Sequence, residues 1–415
     1  MSHHIITTIY IPRKVLLLPI VFFTLIFSPQ WIFAQTSRKS LINIPQSRSA
    51  DIGIVVRDLS TGEDLVSENS DKMLTPASIM KCVTAASVIL ADKENDCFTT
   101  DVFITGDVTS DTILLGDIMI RGVGDPTLES KRFPEYVGFM DSIVSNIKRK
   151  GITRIAGCIE IDSIGFIEQG PCRKWESEDL KWYYGAGLFP INYKENTLAG
   201  DCAMRDPASH FIRDLKSKLK AGGISVEETE VGFGEIKLTP LYSHHSPSFS
   251  EIMRAMIEVS NNLYAESMLR TLEPENSMAA AIEREQNILQ QIGLDCNEIY
   301  PFDGSGLTRD NLLTPRFMAD LLLAMYVGEK SDRFISLFPK AGEEGTVKKV
   351  LQNTPLSGKF ILKSGSMRGV LCYSGYKIND NGQPTHAVVV MVNGFTCSTP
   401  TVRKAICDFL LKQFS

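Results

Sequence analysis

The feature that most constrains the fold is that the two ends of the chain have one pattern of strands and helices and the middle has another. Near the start, a strand hairpin over residues 51–67 is followed by an apolar helix that opens at Thr75-Pro76, and proline suits the first turn of a helix. Near the end come two strands and an amphipathic helix, at 360–363, 387–392 and 400–413. Because the termini of a domain often lie close together, we expect the two ends to form one domain of helices and strands, 35–93 with 250–415.

The middle of the chain, 94–249, is predicted to be an insertion into that domain and to be mainly β. It alternates short strands with turns and carries two basic amphipathic helices; the strands are at 102–106, 113–121 and 158–162 and the helices at 134–150 and 207–221. A polar, proline-containing junction is expected at 243–250. Helical patterns follow it at 250–271, 275–293 and 314–326.

The first 34 residues have the pattern of a secretory signal peptide. Arg13 and Lys14 precede a run of thirteen apolar residues, 15–27, and Ala34 offers a small residue at a plausible cleavage point. The apolar run is shorter than the 20 or so residues that cross a bilayer comfortably. We therefore expect export, with a periplasmic or envelope-associated location; the alternative is an uncleaved N-terminal anchor.

Composition excludes some classes of function. The chain has 43 basic and 49 acidic residues, so there is no basic excess to drive nucleic-acid binding. Six histidines, no CxxC and no HExxH argue against a metal site, and no cofactor is expected. The nine cysteines are an odd number, and if any are bridged, the middle ones are favoured: Cys158, Cys172 and Cys202.

One motif predicts a nucleophile. Ser78 and Lys81 form S-x-x-K at the start of the apolar helix, where residues three apart share a face. A lysine beside a serine can act as its general base if the lysine is neutral. The sequence has three further matches, but two are on lysine-rich helix faces and one is in a strand, where residues three apart point to opposite sides.

Two more motifs follow in order along the chain. Ser260 and Asn262 form S-x-N, and Lys363, Ser364 and Gly365 form K-S-G at the end of an apolar strand. Alone, the first could be a helix cap and the second a turn. Together with S-x-x-K they make the signature of penicillin-binding proteins and β-lactamases.

With these three motifs in this order, the sequence resembles the D-alanyl-D-alanine carboxypeptidase/endopeptidase family, the class C low-molecular-mass penicillin-binding proteins. The resemblance covers nearly all of the chain after the signal segment. Segments that carry it are D-P-T-L at 125–128, Y-G-A at 184–186, N-Y-K-E-N at 192–196, D-G-S-G-L-T-R at 303–309, G-E-E-G-T at 342–346 and K-S-G-S-M-R-G at 363–369. Two letters depart from the family motifs: Ser364 stands for Thr and Asn261 for Asp, and neither change removes a catalytic group.

The resemblance implies an α+β, multidomain fold. Its catalytic part would be a transpeptidase domain like those of penicillin-binding proteins and β-lactamases, an antiparallel sheet flanked by helices, split around a mainly β inserted domain. The substrate would be peptidoglycan stem peptides that end in D-Ala-D-Ala, with β-lactams as covalent inhibitors. No metal or cofactor would take part, and the oligomeric state stays open.

The resemblance also implies roles for the motif residues. Ser78 would attack the carbonyl between two D-alanines and Lys81 would take its proton. Ser260 would relay a proton to the leaving amine, while Asn262 would bind the substrate backbone. Lys363 and Ser364 would hold the terminal carboxylate of the substrate. Gly365 would let the substrate backbone approach the strand closely, and the Ser366 amide would donate to the oxyanion.

Two alternatives accompany this interpretation. One is a β-lactamase or esterase on the same fold, which would need a deacylating base that the sequence does not identify. The other is a non-catalytic cell-wall-binding protein with a decayed site.

For the lysines, we expect repulsion between Lys81 and Lys363 to leave Lys81 neutral and Lys363 charged.

Overall fold

A computed structural model describes residues 40–45, 49–228, 237–274 and 277–414. The predicted signal peptide lies outside the described residues. No described helix is both long and apolar enough to cross a bilayer.

The described part of the chain contains fifteen strands. They are β1 (Asp51–Asp58), β2 (Asp64–Glu68), β3 (Cys97–Thr105), β4 (Asp107–Val108), β5 (Ile113–Leu115), β6 (Ile118–Arg121), β7 (Arg154–Ile155), β8 (Ile159–Asp162), β9 (Ser225–Val226), β10 (Leu238–Ser248), β11 (Ile299–Tyr300), β12 (Leu312–Leu313), β13 (Phe360–Met367), β14 (Val370–Ile378) and β15 (Pro384–Asn393).

The same residues contain nine α-helices. They are α1 (Met80–Leu90), α2 (Phe139–Arg149), α3 (Pro207–Ala221), α4 (Phe249–Val259), α5 (Asn262–Arg270), α6 (Met278–Gln291), α7 (Pro315–Val327), α8 (Ser331–Ile335) and α9 (Thr399–Phe414). Short 3₁₀ turns connect several of them, including Ala77–Ile79 before α1.

The largest sheet is built from both ends of the chain. Its order is β13-β14-β15-β1-β2, and every neighbouring pair is antiparallel. In the centre, β1 pairs with β15 so that Ile54 lies opposite Val390. The strands nearest the two termini therefore lie side by side, although more than 300 residues separate them in sequence.

Helices cover both faces of this sheet, which explains why its central strands are continuous apolar runs. Successive side chains of a strand point to opposite faces. Val55 and Val389 belong to one core, which also contains α1 and α4 to α7. Ile54 and Val390 belong to a second core, beneath α9.

The segment between the two ends has its own sheets and its own core. One sheet has the order β10-β3-β6-β8 and the other β4-β5-β7-β9. Both include parallel pairs. Apolar side chains of α2 and α3 pack against these strands in a third core, with Phe139 and Phe211 in ring contact.

Two sequence predictions about element boundaries are wrong. The polar junction expected at 243–250 is mostly the end of β10, which pairs with β3; β10 is an edge strand, where prolines are tolerated because one side needs no ladder hydrogen bonds. The single helical pattern expected at 250–271 is two helices, α4 and α5. Ser260 separates the two helices because its backbone is left-handed, with φ at 62°.

The expected bridge partners Cys158, Cys172 and Cys202 are unpaired, as are the other six cysteines. Cys202 is exposed, while Cys158 and Cys172 are half-buried. Their closeness in sequence does not bring these thiols together, so the fold is held without disulfides.

Candidate active site

Ser78 and Lys81 lie where one strand of the main sheet meets the start of α1. Ser78 is in the middle of the 3₁₀ turn, and Lys81 is in the first turn of α1. The spacing of three brings the Lys81 ammonium nitrogen to 2.9 Å from the Ser78 hydroxyl oxygen. Ala77, just before the serine, has a φ of 48°, a region that non-glycine residues rarely occupy.

Ser260 and Asn262 face the same place because the break between α4 and α5 turns the chain there. Asn261 caps α5 by accepting a hydrogen bond from the Tyr264 amide at 3.1 Å, and its own amide donates to Glu195 at 2.9 Å. The middle residue of the motif therefore points away from the two lysines. Asn262 accepts from the Lys81 ammonium at 2.7 Å and donates to the backbone carbonyl of Tyr184 at 2.9 Å.

The third group is on β13. The Lys363 ammonium donates to the Ser260 hydroxyl at 2.9 Å and to the Ser364 carbonyl at 2.7 Å. Lys363 is fully buried, whereas Ser364 is half-buried and Ser366 is exposed. The Ser364 hydroxyl donates to the Thr346 hydroxyl at 2.7 Å. The hydroxyls at this end are thus the groups open to a ligand, and the ammonium lies behind them.

Gly365 explains how closely β13 approaches the turn that carries Ser78. A β-carbon at residue 365 would lie 2.5 Å from the Pro76 carbonyl oxygen and 2.9 Å from the Ser78 amide nitrogen. Such contacts are too short for any side chain. The absence of a side chain is therefore what lets the strand lie against the Ser78 amide.

All eight residues predicted from the sequence thus belong to three neighbouring elements. Hydrogen bonds link Ser78, Lys81 and Asn262 in one group and Ser260, Lys363 and Ser364 in another. Gly365 joins the groups through its contact with the Ser78 turn, and Ser366 follows it on β13.

Burial dominates the electrostatics of the two lysines. It lowers the pKa of Lys81 to about 7, against the opposing effect of the Asp303 and Glu266 carboxylates. Burial and, after it, repulsion from Lys81 lower the pKa of Lys363 well below the ordinary lysine value. The expected ordinary charge of Lys363 is therefore wrong. In the part of the chain that the structure describes, no carboxylate offsets the burial of Lys363 as Asp303 and Glu266 do for Lys81.

Sequence reasoning missed three residues of this site. The Ser305 carbonyl accepts from the Lys81 ammonium at 2.7 Å, Glu266 accepts from the Ser305 amide at 3.0 Å, and Thr346 contacts Ser364. Ser305 and Thr346 lie in segments that carried the family resemblance. The available signal was the glutamate at 266, an ionisable residue four positions after Asn262 in the same helical pattern.

The aromatic residues at 175–184 differ in exposure. Trp175 is buried, and its indole donates to the Asp303 carboxylate at 2.8 Å. Trp182 and Tyr183 are 45% and 43% exposed.

No group of histidine, cysteine and carboxylate side chains suited to a metal ion occurs in the described ranges. The chemistry available to the site is that of a serine hydroxyl, two buried amines and convergent amide and hydroxyl groups. A serine beside a lysine of lowered pKa is suited to acyl transfer through a covalent intermediate.

Comparisons with solved structures show the class of fold. The chain superposes on the crystal structure of penicillin binding protein 4 from Haemophilus influenzae with a TM-score of 0.76 at 20% identity, over 90% of this chain and 98% of that one. A predatory endopeptidase from Bdellovibrio bacteriovorus in complex with its immunity protein gives a TM-score of 0.54 at 16% identity, over 88% and 92% of the two chains. The expected penicillin-binding-protein-like fold is confirmed.

The sequence profile of the D-Ala-D-Ala carboxypeptidase 3 (S13) family matches residues 36–200 and 187–413, and the chain belongs to that family. A D-alanyl-D-alanine carboxypeptidase from Actinomadura is 24% identical over 84% of this chain and 79% of its own length. A penicillin-sensitive carboxypeptidase A from Dictyostelium discoideum is 26% identical over 77% and 78%. The expected class of enzyme, a serine-type DD-peptidase, is confirmed.

Proposed function

We propose that Ser78 is the nucleophile of this DD-peptidase and that Lys81 is its general base. The observation that carries the proposal is the contact between the Lys81 nitrogen and the Ser78 hydroxyl at 2.9 Å, in a site that lowers the pKa of Lys81 to about 7. A neutral amine at that distance can take the hydroxyl proton as the oxygen attacks a carbonyl carbon. Asn262 and the Ser305 carbonyl hold the nitrogen from the other side.

Ser260 and Lys363 would serve the departing amine. After attack, the nitrogen of the leaving D-alanine needs a proton before the bond breaks. The Ser260 hydroxyl can supply it and be resupplied by the Lys363 nitrogen, 2.9 Å away. Water would then hydrolyse the ester on Ser78, with Lys81 as base again.

The substrate would lie along β13. The Ser364 and Thr346 hydroxyls can donate to its terminal carboxylate, whose negative charge would favour the ammonium form of Lys363 behind them. The amides of Ser78 and Ser366 would form the oxyanion hole. This arrangement fits peptidoglycan stem peptides that end in D-Ala-D-Ala, and a β-lactam would acylate Ser78 but deacylate slowly.

We extend the proposal to organisation and location. Residues 35–93 and 250–415 would form the catalytic domain, in agreement with the pairing of β1 with β15. Residues 94–249 would form the inserted domain, with a core of its own. The pattern of 1–34 supports export to the periplasm or the cell envelope.

The test is the intact mass of the protein after incubation with penicillin, followed by peptide mapping. The parent should gain one penicillin on the peptide that contains Ser78. Ser78→Ala should gain none and should lose D-alanine release, because Ser78 carries the one hydroxyl that hydrogen-bonds the Lys81 nitrogen among the described residues. Ser305→Ala is the matched control: only the backbone carbonyl of Ser305 contacts Lys81, so the adduct should persist.

Labelling of folded Ser78→Ala at another serine would refute the assignment. Rapid turnover of penicillin by the parent, without a lasting adduct, would favour a β-lactamase.

A further inference from the structure

Glu266 is a buried carboxylate one helical turn after Asn262 in α5. It is 4% exposed and lies on the same face of the helix as Asn262, four residues earlier. It accepts hydrogen bonds from the backbone amides of Gly304 at 3.3 Å and Ser305 at 3.0 Å. Helix α5 therefore contacts Lys81 through Asn262 and the segment behind Lys81 through Glu266.

The segment that Glu266 holds is a turn, 303–308, pressed against both Ser78 and Lys81. The Ser305 carbonyl accepts from the Lys81 ammonium at 2.7 Å. A β-carbon on Gly306 would lie 2.0 Å from the carbonyl oxygen of Ala77, the residue before Ser78. Any movement of this turn would therefore displace Ser78 and Lys81 together.

Asp303 holds the other side of the turn, and its carboxylate accepts four hydrogen bonds. Its two oxygens accept from the amides of Gly306 and Thr308, from Asn311 and from the Trp175 indole, at 2.6 to 2.9 Å. Glu266 accepts from the Ser305 side chain as well as from the two amides, of which the Gly304 amide is the more distant, at 3.3 Å. Burial raises the pKa of Glu266, so this carboxylate can lose its charge in the range of pH in which Lys81 titrates.

We propose that Glu266 is a positioning residue for the Ser78 reaction, which holds the Ser305 carbonyl against Lys81 and sets the pH range in which Lys81 is neutral. This inference rests on the proposed roles of Ser78 and Lys81. Glu266 does not touch the reacting atoms; it acts through the turn and through its charge.

The charged surroundings of the pair support this role. Lys81 faces Asp303, Glu266 and the Cys82 thiol, and it repels Lys363. Burial, and next the charge of Asp303, raise the pKa of Glu266 to about 8. Glu266 and Lys81 therefore change charge over the same range of pH, and each makes the charged form of the other more favourable.

Glu266 also lies beside a route to solvent that avoids the substrate. It lines a cavity of about 630 Å³ together with Cys172, Leu188, Met278 and Phe302. Protons can reach the carboxyl from that cavity while a substrate fills the space over Ser78. The charge of Glu266 can then follow the pH of the solvent during turnover.

The experiment compares the parent with Glu266→Gln and Glu266→Asp. The second-order rate of acylation by a fluorescent penicillin is measured from pH 5.5 to 9.5, roughly one and a half pH units or more on each side of the lysine titration. Glutamine can still accept from the Ser305 amide but carries no charge. Glu266 is only partly ionised near pH 7, so the loss of its charge makes the ammonium form of Lys81 moderately less favoured. The rising limb should therefore move to lower pH by about half a unit.

The plateau of the same rate profile reports the position of the turn. In Glu266→Gln it should fall about tenfold, since small misplacements of reacting groups are costly. Glu266→Asp keeps the charge but cannot reach both amides, so its plateau should fall while its rising limb stays near that of the parent. Glu285→Gln is the matched control: Glu285 is also buried and its pKa is also raised to about 8, and its limb should stay within about 0.3 unit of the parent, below the shift from a directly opposed charge.

A limb in Glu266→Gln that coincides with the parent, or an equal shift in Glu285→Gln, would overturn the inference. Circular dichroism and thermal unfolding identify a variant that has not folded, and Glu266→Asp then carries the test through its plateau. If the parent itself forms no adduct at Ser78, the proposed function fails instead, so the two failures are distinguishable.

Discussion

Replacing Gly365 by alanine tests whether the close approach of β13 to the Ser78 turn is what makes the site work. The added β-carbon would lie 2.5 Å from the Pro76 carbonyl oxygen, 2.9 Å from the Ser78 amide and 3.0 Å from the Ile79 amide. All three are backbone atoms, which cannot rotate away as a side chain can. The strand and the turn must therefore separate.

The size of that separation follows from the contacts. The shortest one is 0.9 Å below the 3.4 Å at which ordinary van der Waals contact begins. A displacement near 1 Å between an oxyanion donor and the groups on β13 should reduce the acylation rate about 100-fold. The overpacking itself should lower the free energy of unfolding by about 1–3 kcal/mol.

The assay is the second-order rate of penicillin acylation, measured beside thermal unfolding of the same preparation. Gly53→Ala is the matched control. Gly53 is on β1 of the same sheet, and its added carbon would lie 2.5 Å from the Pro315 side chain and 2.9 Å from that of Leu74. This variant should lose a similar amount of stability and keep an acylation rate near that of the parent.

A Gly365→Ala protein that acylates within about threefold of the parent would refute the reasoning, since a 1 Å misplacement should cost far more. An equal loss of rate in Gly53→Ala would also refute it, because the effect would then belong to sheet stability and not to the Ser78 turn.

Two further outcomes are expected. Because burial lowers the pKa of Lys81 to about 7, acylation by the parent should rise with pH through about 7, as the ammonium becomes an amine; a rise centred near the ordinary lysine value of about 10.4 would contradict a buried base. Because all nine cysteines are unpaired, a reducing agent should leave the thermal midpoint unchanged, whereas breaking a native disulfide would typically cost about 2–5 kcal/mol, so a clear drop in a melting experiment would contradict the unpaired state.

The local motifs were predictable because each depends on few neighbours in sequence. Ser78 and Lys81 are three apart on a helix, and this spacing alone aligns them. Lys363 and Gly365 follow an apolar run that only a buried strand explains. For such pairs the backbone geometry is set by secondary structure, so a pattern over ten residues is sufficient.

The errors arise where a segment is stabilised by distant neighbours. The prolines and histidines near residue 245 indicate a loop, but pairing with β3 makes that segment a strand. The periodicity over 250–271 indicates one helix, but Ser260 adopts a left-handed backbone that divides it. Hydrophobic periodicity reveals neither the edge position of β10 nor the turn at Ser260.

The sequence by itself determined the class of fold, the family and the chemical groups of the candidate site, because helix spacing and strand patterning are local. Only the tertiary structure decided the burial that lowers the pKa of both lysines and the positions of Glu266 and Ser305. A buried charge depends on which segments exclude water from it and which carboxylates lie near it. For Lys81 those neighbours come from α5 and the turn 303–308, about 180 to 225 residues away in sequence.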